Sequence, residues 1–360
     1  MKHRQAISAA VGLTWLTGIG CASTTEGSSS DWFAERPSRL VECAPELMPN
    51  YLFHLTALAG VLHSASYESN YVASVERSDL NELRASLPLI NWGYDYTGDL
   101  APFFVFLPAY LELEDDFELQ EYFDLFELSV RRSNYAPLRN RFANAHDRLD
   151  LWLFDYEGFF YGRADLFREF LPRIQRMSDI FERNFASYAQ EIWPQLESEL
   201  ELIADEVNGQ LWSLDLIQQW EALSGVHFQA PSFDVVITAA PSGPRPHRLG
   251  YARSLITAER NIERMVHLLN HEVGAHLLYE LYDRQLRADA EAGSLDWENW
   301  AAYEGLVQFY GRQIMPGFEM DVDNEVERFH GYYQQIFDAA PRADAAWMLQ
   351  RALRIHRDGD

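Results

Sequence analysis

The sequence predicts a mainly α-helical protein with a small strand element placed just before its longest helix. Apolar residues recur at three- and four-residue steps through much of residues 45–209, as they do on the buried face of a helix. In the second half, the run from Phe233 to Ala239 is rich in β-branched residues and lies between two prolines. A long helical pattern follows that run, so we expect a mainly α fold of the α+β class.

Size and composition set the number of domains and exclude some partners. The chain has 360 residues, 48% of them hydrophobic, with a formal net charge of −26. This length exceeds one ordinary hydrophobic core, so we expect one large domain or two packed units. Because such an acidic surface repels phosphate backbones, nucleic-acid binding is not expected. The dense acidic run at residues 112–127 has interleaved apolar residues and indicates a solvated helix face.

Residues 1–30 have the pattern of an export signal followed by a polar tether. Two basic residues precede the charge-free stretch 6–19, which suits a signal-peptide core but is short for a membrane span. Gly20-Cys21 followed by a Ser/Thr-rich spacer resembles a bacterial lipoprotein signal, although Gly18 stands where an aliphatic residue is usual. We predict export to the bacterial cell envelope, as a periplasmic or outer-membrane lipoprotein, with the membrane reached only through a lipid on Cys21.

The remaining chain divides into a helical region, 31–209, and a second region, 210–360. In the second region we predict a short helix from Leu214 to Leu223, the strand 233–239, and a loop at 242–246. A long helical pattern then runs from about Thr257 to Leu286, and another covers 297–310. Lipidation of Cys21 would leave Cys43 without a disulfide partner, so a metal would have to use His, Asp or Glu.

The long helix contains His271-Glu272-Val273-Gly274-Ala275-His276, a spacing that indicates a zinc-hydrolase motif. Hydrolytic zinc needs two or three His or carboxylate ligands, an open position for water and a base. In the common motif the histidines are four residues apart, whereas here they are five apart. Five residues turn an ideal helix by roughly 140°, so we expect a π-bulge or irregular turn near Gly274 to bring both imidazoles to one ion.

A third ligand is expected on the following helix. Glu304 lies among alanines and leucine, where an unpaired carboxylate would be costly, and is our first choice. Glu280 and Glu298 are rivals that look more exposed. His267 lies four residues before His271 and could share a helical face with it, but a pair of these two would leave His276 unexplained.

The motif residues resemble a known family. Asn270–His276, followed by Tyr303-Glu304-Gly305-Leu306, is similar to the His-Glu-x-x-x-His family of microtubule-associated tyrosine carboxypeptidases. That family includes bacterial proteins named for a Gln-Glu-Gly-Leu-Ala motif, which is matched here at Glu-Gly-Leu. The resemblance covers residues 251–360 and implies a zincin-like metallopeptidase domain. It implies Zn²⁺ held by His271, His276 and Glu304, with Glu272 as the catalytic base and a peptide or protein as substrate.

The zincin layout also implies that the strand beside the active-site helix offers its free edge to the substrate backbone. An oxyanion partner is needed as well, and the sequence leaves five candidates open: Tyr303, Tyr310, His330, Tyr332 and Tyr333. Arg253 and Arg354 are candidates for binding a C-terminal carboxylate.

Two other functions remain open at this point. One is an exported, non-catalytic binding protein that keeps a degenerate metalloprotease domain. The other is a metallohydrolase that acts on a non-peptide amide. The sequence specifies neither the substrate nor the oligomeric state.

Overall fold

After the first strand, the first half of the chain is almost entirely helical. The computed structural model describes residues 40–358 except 63, 93–96, 153, 244–245, 293–295 and 318–322, so the predicted signal segment and Cys21 lie outside the described residues. The helices up to residue 211 are α1 Leu47–Ala59, α2 Ala65–Tyr71, α3 Arg77–Ala85, α4 Leu87–Ile90, α5 Leu107–Tyr110, α6 Asp116–Arg132, α7 Ala136–Arg141, α8 Ala143–Leu149, α9 Tyr156–Gly162, α10 Ala164–Ser187 and α11 Trp193–Leu211. A 3₁₀ turn, Val72–Ser74, and two π-helical segments, Pro102–Phe106 and Tyr188–Ile192, connect some of them.

The second half contributes most of the sheet and the remaining helices. Its elements are α12 Leu216–Ser224, β2 Ser232–Thr238, β3 Pro246–Gly250, β4 Arg253–Thr257, α13 Ile262–Ala292, α14 Asp296–Ile314, α15 Asn324–Ala339 and α16 Ala345–Asp358. Strand β1, Leu40–Pro45, precedes all the helices. The predicted mainly helical class is confirmed. No helix among the described residues is both long enough and apolar enough to cross a membrane.

The four strands form one sheet in the order β1-β2-β4-β3. β2 is parallel to both β1 and β4, and β3 runs antiparallel to β4. The predicted strand is therefore present as β2, but the expectation that it offers a free edge is wrong, because β1 and β4 pair with both of its sides. The edge strands of the sheet are β1 and β3, and β3 packs against α13.

The long helix begins later than the sequence predicted. Residues 253–257 form β4 and Thr257 ends it, whereas α13 begins at Ile262. The apolar run Leu255-Ile256 suits a buried strand as well as a helix, and pairing with β2 selects the strand. The helix itself carries buried apolar residues around its whole circumference, as expected for a helix enclosed by other elements.

The predicted irregular turn at Gly274 is not present, since α13 is continuous α-helix from Ile262 to Ala292. Gly274 has a packing role instead. A Cβ at this position would lie 2.1 Å from Cζ2 of Trp220, whose side chain is fully buried. Nε1 of Trp220 donates to Oδ1 and to the carbonyl of Asn270, at 2.9 and 3.1 Å. The glycine therefore lets the indole of α12 lie directly against the backbone of α13.

The outer edge of β1 is closed by a side chain rather than by a strand. The Cys43 amide donates to Oδ1 of Asn208 at 2.8 Å, and Nδ2 of Asn208 donates to the Cys43 carbonyl at 2.8 Å. The side-chain amide of α11 thus takes the place of a neighbouring peptide group. This protects the edge of the sheet from pairing with other chains.

Candidate metal centre

His271 and Glu304 meet between α13 and α14. Nε2 of His271 lies 3.3 Å from Oε2 of Glu304, and their side chains are 11% and 13% exposed. The side-chain amide of Gln308, one turn further along α14, lies 3.3 Å from Nδ1 of His271 and fixes the ring. The rival carboxylates lie elsewhere: Glu280 pairs with Arg284 and Glu298 with Arg357. Packing of α13 against α14 therefore brings one imidazole and one carboxylate together.

Arg248, on β3, lies between the two carboxylates of the site, Glu304 and Glu272. Its Nη2 lies 3.6 Å from Oε1 of Glu304, and its Nε lies 3.7 Å from Oε2 of Glu272. Ser254, paired with Arg248 across the β3–β4 ladder, has its hydroxyl 3.5 Å from the same Glu272 oxygen. Glu272 is 5% exposed. The arginine supplies the positive charge that two buried carboxylates require.

The electrostatics follow from this arrangement. Burial lowers the pKa of His271, but its hydrogen bond to Glu304 and the charge of that group outweigh burial and raise the pKa above its ordinary value. Burial raises the pKa of Glu304, but the contacts with His271 and Arg248 outweigh it and lower the pKa. Burial lowers the pKa of Arg248, but Tyr303 and the two carboxylates raise it, and the side chain stays charged. We call His271, Glu272, Glu304 and Arg248 the charged cluster, and in it Arg248 lies beside both carboxylates.

His276 lies apart from this cluster. Its Nδ1 is 2.9 Å from the carbonyl oxygen of Glu272, and its ring stacks on Trp152 with centroids 4.7 Å apart. Its Nε2 is buried without a hydrogen-bond partner in the described part of the chain. Burial and the nearby Arg248 charge lower the pKa of His276 to about 3. Because α13 is regular, the five-residue step turns this imidazole well away from His271.

The residues fit a zinc ion in chemistry and in part of their geometry. His271 and Glu304 present their side-chain polar atoms to each other. The Nδ1 of His276 faces a carbonyl oxygen, as is usual for a zinc ligand bound through Nε2, whereas the Nδ1 of His271 faces the side-chain nitrogen of Gln308. The partnerless Nε2 of His276 is a third suitable donor. Within the described ranges, however, no group of three or more His, Cys, Asp or Glu side chains is placed to hold a metal. The ligand chemistry is thus present, while the third ligand is turned away.

Most residues considered for the oxyanion role have structural contacts instead. Tyr303 donates its hydroxyl to the carbonyl of Ala275 at 2.5 Å, and Tyr333 donates to the carbonyl of Ala302 at 2.9 Å. Tyr310 contacts Sδ of Met348 at 3.3 Å. Of the five candidates, Tyr303 has its ring 5.9 Å from the Arg248 guanidinium and so lines the charged cluster.

The remaining two candidates, His330 and Tyr332, lie on α15, where they make other contacts. His330 lies 3.3 Å from Arg312. Tyr332 packs on Phe329 and His356. These contacts belong to the packing of α14, α15 and α16.

The other cationic and histidine candidates are also accounted for. Arg253 is buried between Glu46 and Glu112, and Arg354 is exposed, with its Nε 3.4 Å from the Gln350 carbonyl of its own helix. His267 is buried one turn before His271, and burial lowers its pKa. Arg248 was missed from sequence. A signal existed, since Arg248 is a basic residue in a strongly acidic chain and lies in the segment that precedes the motif helix.

Comparison with protein-family models, with curated proteins and with solved structures finds no match to this chain. The resemblance carried by the two motifs stays a prediction.

Proposed function

We propose that this protein is a zinc-dependent hydrolase of peptide bonds, with His271, His276 and Glu304 as the protein ligands of the metal. The observation that carries the proposal is the 3.3 Å approach of His271 to Glu304 between two helices. Glu272, which would act as base, is buried beside the pair. Burying charged groups together is costly, so their convergence supports a functional role.

In this proposal the chain's own residues divide the work. A bound zinc ion would act as a Lewis acid and lower the pKa of water toward ~7. Glu272 accepts a proton from the attacking water and delivers it to the leaving amine. Ser254 and Arg248 orient the Glu272 carboxylate, and Arg248 opposes the negative charge that develops on the substrate carbonyl. The Tyr303 ring lies 5.9 Å from the Arg248 guanidinium and is held by the hydrogen bond of its hydroxyl to the Ala275 carbonyl on α13.

The proposal requires a local change at His276. In the regular helix this imidazole packs on Trp152, so it can join His271 only if the turn around Gly274 departs from α-geometry. A π-bulge within an α-helix, which is such a departure, is frequent at functional sites.

Metal content tests the proposal most directly. Residues 31–360 are purified as wild type, His271→Ala, His276→Ala, Glu304→Ala and the control Glu280→Ala, an exposed carboxylate on the same helix. We expect about one zinc per chain in wild type and control, and loss of it in the three ligand variants with unchanged circular dichroism. Zinc that is absent, or retained in all variants, would remove the basis of the proposal.

Activity is tested separately on the base. Glu272→Gln should keep zinc but lose hydrolysis of a mixed peptide library by at least ~100-fold, because proton transfer is lost while the ligands remain. Unchanged activity would show that Glu272 is not the base. A library of non-peptide amides, run in parallel, distinguishes the two kinds of substrate.

One observation favours a non-catalytic binding protein as the second candidate. Arg248 already lies beside both Glu272 and Glu304, so each carboxylate has a cationic partner without a metal. A chain that binds no zinc and gains stability from Arg248 would fit that alternative.

Export and lipid attachment at Cys21 are part of the same proposal. Radiolabelled fatty acid should be incorporated by the full chain expressed in a bacterial host and not by Cys21→Ala. Incorporation that is unaffected by the substitution would contradict lipidation at this residue.

A further inference from the structure

A cleft lies against α13 beside His276. Its volume is about 270 Å³. It is formed by the segment after α8, the segment after α12, the turn between β3 and β4, and one face of α13. This is enough space for one long side chain but not for a folded partner.

Aromatic rings form its walls. Trp152 stacks on Tyr279, with ring centroids 4.9 Å apart and planes at 27°. Phe228 stacks on Tyr251, with centroids 5.7 Å apart. Aromatic faces attract cations through their negative quadrupole within about 6 Å, and they also accept aliphatic carbon. The walls therefore suit a group that combines positive charge with a carbon stem.

Acidic side chains line the same cleft. Asp283 is 20% exposed and pairs with Arg287, whose side chain is 76% exposed. Glu280 likewise pairs with an arginine that is 64% exposed. Ion pairs of such exposed side chains contribute little and can be exchanged for an incoming cation. The net charge of −26 further favours approach of cations over anions.

His276 also lines the cleft, where its ring stacks on Trp152. Its Nε2 is assigned to the metal in the proposed function, so it is not a contact for a cation in the cleft. The acceptors are the carboxylates of Asp283 and Glu280, and they match ammonium and guanidinium groups, which have only donors.

We propose that this cleft binds an ammonium or guanidinium group on an aliphatic stem, and that its ligand is a Lys or Arg side chain of the substrate. The second part rests on the proposed hydrolase function. Tyr279, in the cleft wall, lies with its ring 6.2 Å from Tyr303, and Tyr303 lines the charged cluster around Arg248. The contact between Tyr279 and Tyr303 thus connects the wall of the cleft to the charged cluster.

Binding of matched amino-acid derivatives tests the cleft without requiring turnover. Tryptophan fluorescence and calorimetry are used to titrate N-acetyl-lysine methylamide, its arginine analogue, the norleucine analogue and the glutamate analogue into residues 31–360. We expect the two cationic probes to bind at least ~10-fold more tightly than norleucine, which lacks the charge. Equal binding of lysine and norleucine probes, or preference for glutamate, would overturn the proposal.

Variants locate the binding. Asp283→Asn and Trp152→Leu should each weaken lysine-probe binding about tenfold. The matched controls Asp338→Asn and Trp347→Leu, exposed residues on α15 and α16, should leave it unchanged. Asp283→Asn keeps the shape of the side chain, so it remains informative if Trp152→Leu fails to fold. Equal effects in test and control variants would overturn the assignment to the cleft.

The outcomes separate this inference from the proposed function. Cation binding in a chain that holds no zinc would support the cleft and reject the hydrolase, together with the substrate assignment. Zinc and peptide hydrolysis without preference for Lys or Arg would reject the substrate assignment alone. Spermidine binding without binding of either amino-acid probe would reject a peptide side chain as the ligand.

Discussion

Replacing Gly274 by alanine should destabilise the protein, although alanine is the better helix former. The substitution gains about 1 kcal/mol of helix propensity. Against this, the new Cβ would lie 2.1 Å from the Trp220 ring, and forcing an extra methyl into a packed core costs about 1–3 kcal/mol. Moving the indole also breaks the Nε1 bonds to Asn270, at a cost of about 1–3 kcal/mol for a buried donor. We expect a net loss of about 3 kcal/mol.

Thermal and denaturant unfolding of residues 31–360, followed by circular dichroism, measures this loss. For a chain of this size about 3 kcal/mol corresponds to a decrease in Tm of about 4 °C. The control is Gly209→Ala on α11, where an added Cβ has no atom within 4 Å and should stabilise by about 0.4–1 kcal/mol. Trp220→Phe in the Gly274→Ala background should recover part of the loss. A Gly274→Ala protein as stable as wild type would refute the packing argument.

Three further predictions concern buried ionisable groups. The hydrogen bond to Arg183 lowers the pKa of Asp79, so the stability that this carboxylate contributes is present above its unfolded pKa and is lost as pH falls through its folded pKa. Asp79→Asn should therefore cost about 2 kcal/mol at pH 7. The substitution should also remove this acid dependence, which unfolding at pH 2–7 measures. Burial lowers the pKa of His54 to about 3, so below about pH 6.5 only the unfolded state gains a proton on this imidazole, and the free energy of unfolding decreases. NMR titration should show a neutral imidazole at pH 5, and a charged one there would contradict this. The Cys43 thiol is 2% exposed and burial raises its pKa, so it should react with a thiol reagent only after unfolding; labelling of the native protein would contradict its burial.

The sequence predicted elements well where one pattern was sufficient. The strand at 233–239 appears as Ser232–Thr238, and the helix closed by Gly225 appears as Leu216–Ser224, with Gly225 at φ 71°. Both rest on local chemistry, namely β-branched residues in the first case and a glycine that adopts the left-handed conformation in the second.

Elements defined by distant partners could not be predicted. β1 and β4 are six and five residues long, and each is a strand because β2 lies beside it. The role of Gly274 also depended on a distant residue, since only the structure shows Trp220 against it.

The candidate site divides in the same way. Motif spacing singled out His271, Glu272 and Glu304, which the structure gathers around one arginine. It could not identify Arg248, because that residue reaches the site through the hairpin β3–β4 rather than through α13. It also could not indicate the direction of the His276 side chain. That direction depends on whether the helix is regular, which the packing of the surrounding elements decides.

The link between β1 and the rest of the sheet makes folding dependent on the whole chain. Cys43 bonds with Asn208, 165 residues further on, and its strand pairs with β2, which lies later still. During synthesis, the first strand therefore emerges long before any of its partners. Closing so large a loop is slow, and the strand's unpaired amides stay exposed meanwhile. We expect a chaperone that binds unfolded chains to assist during that interval. The sheet can form cooperatively once residues 232–257 have been synthesised.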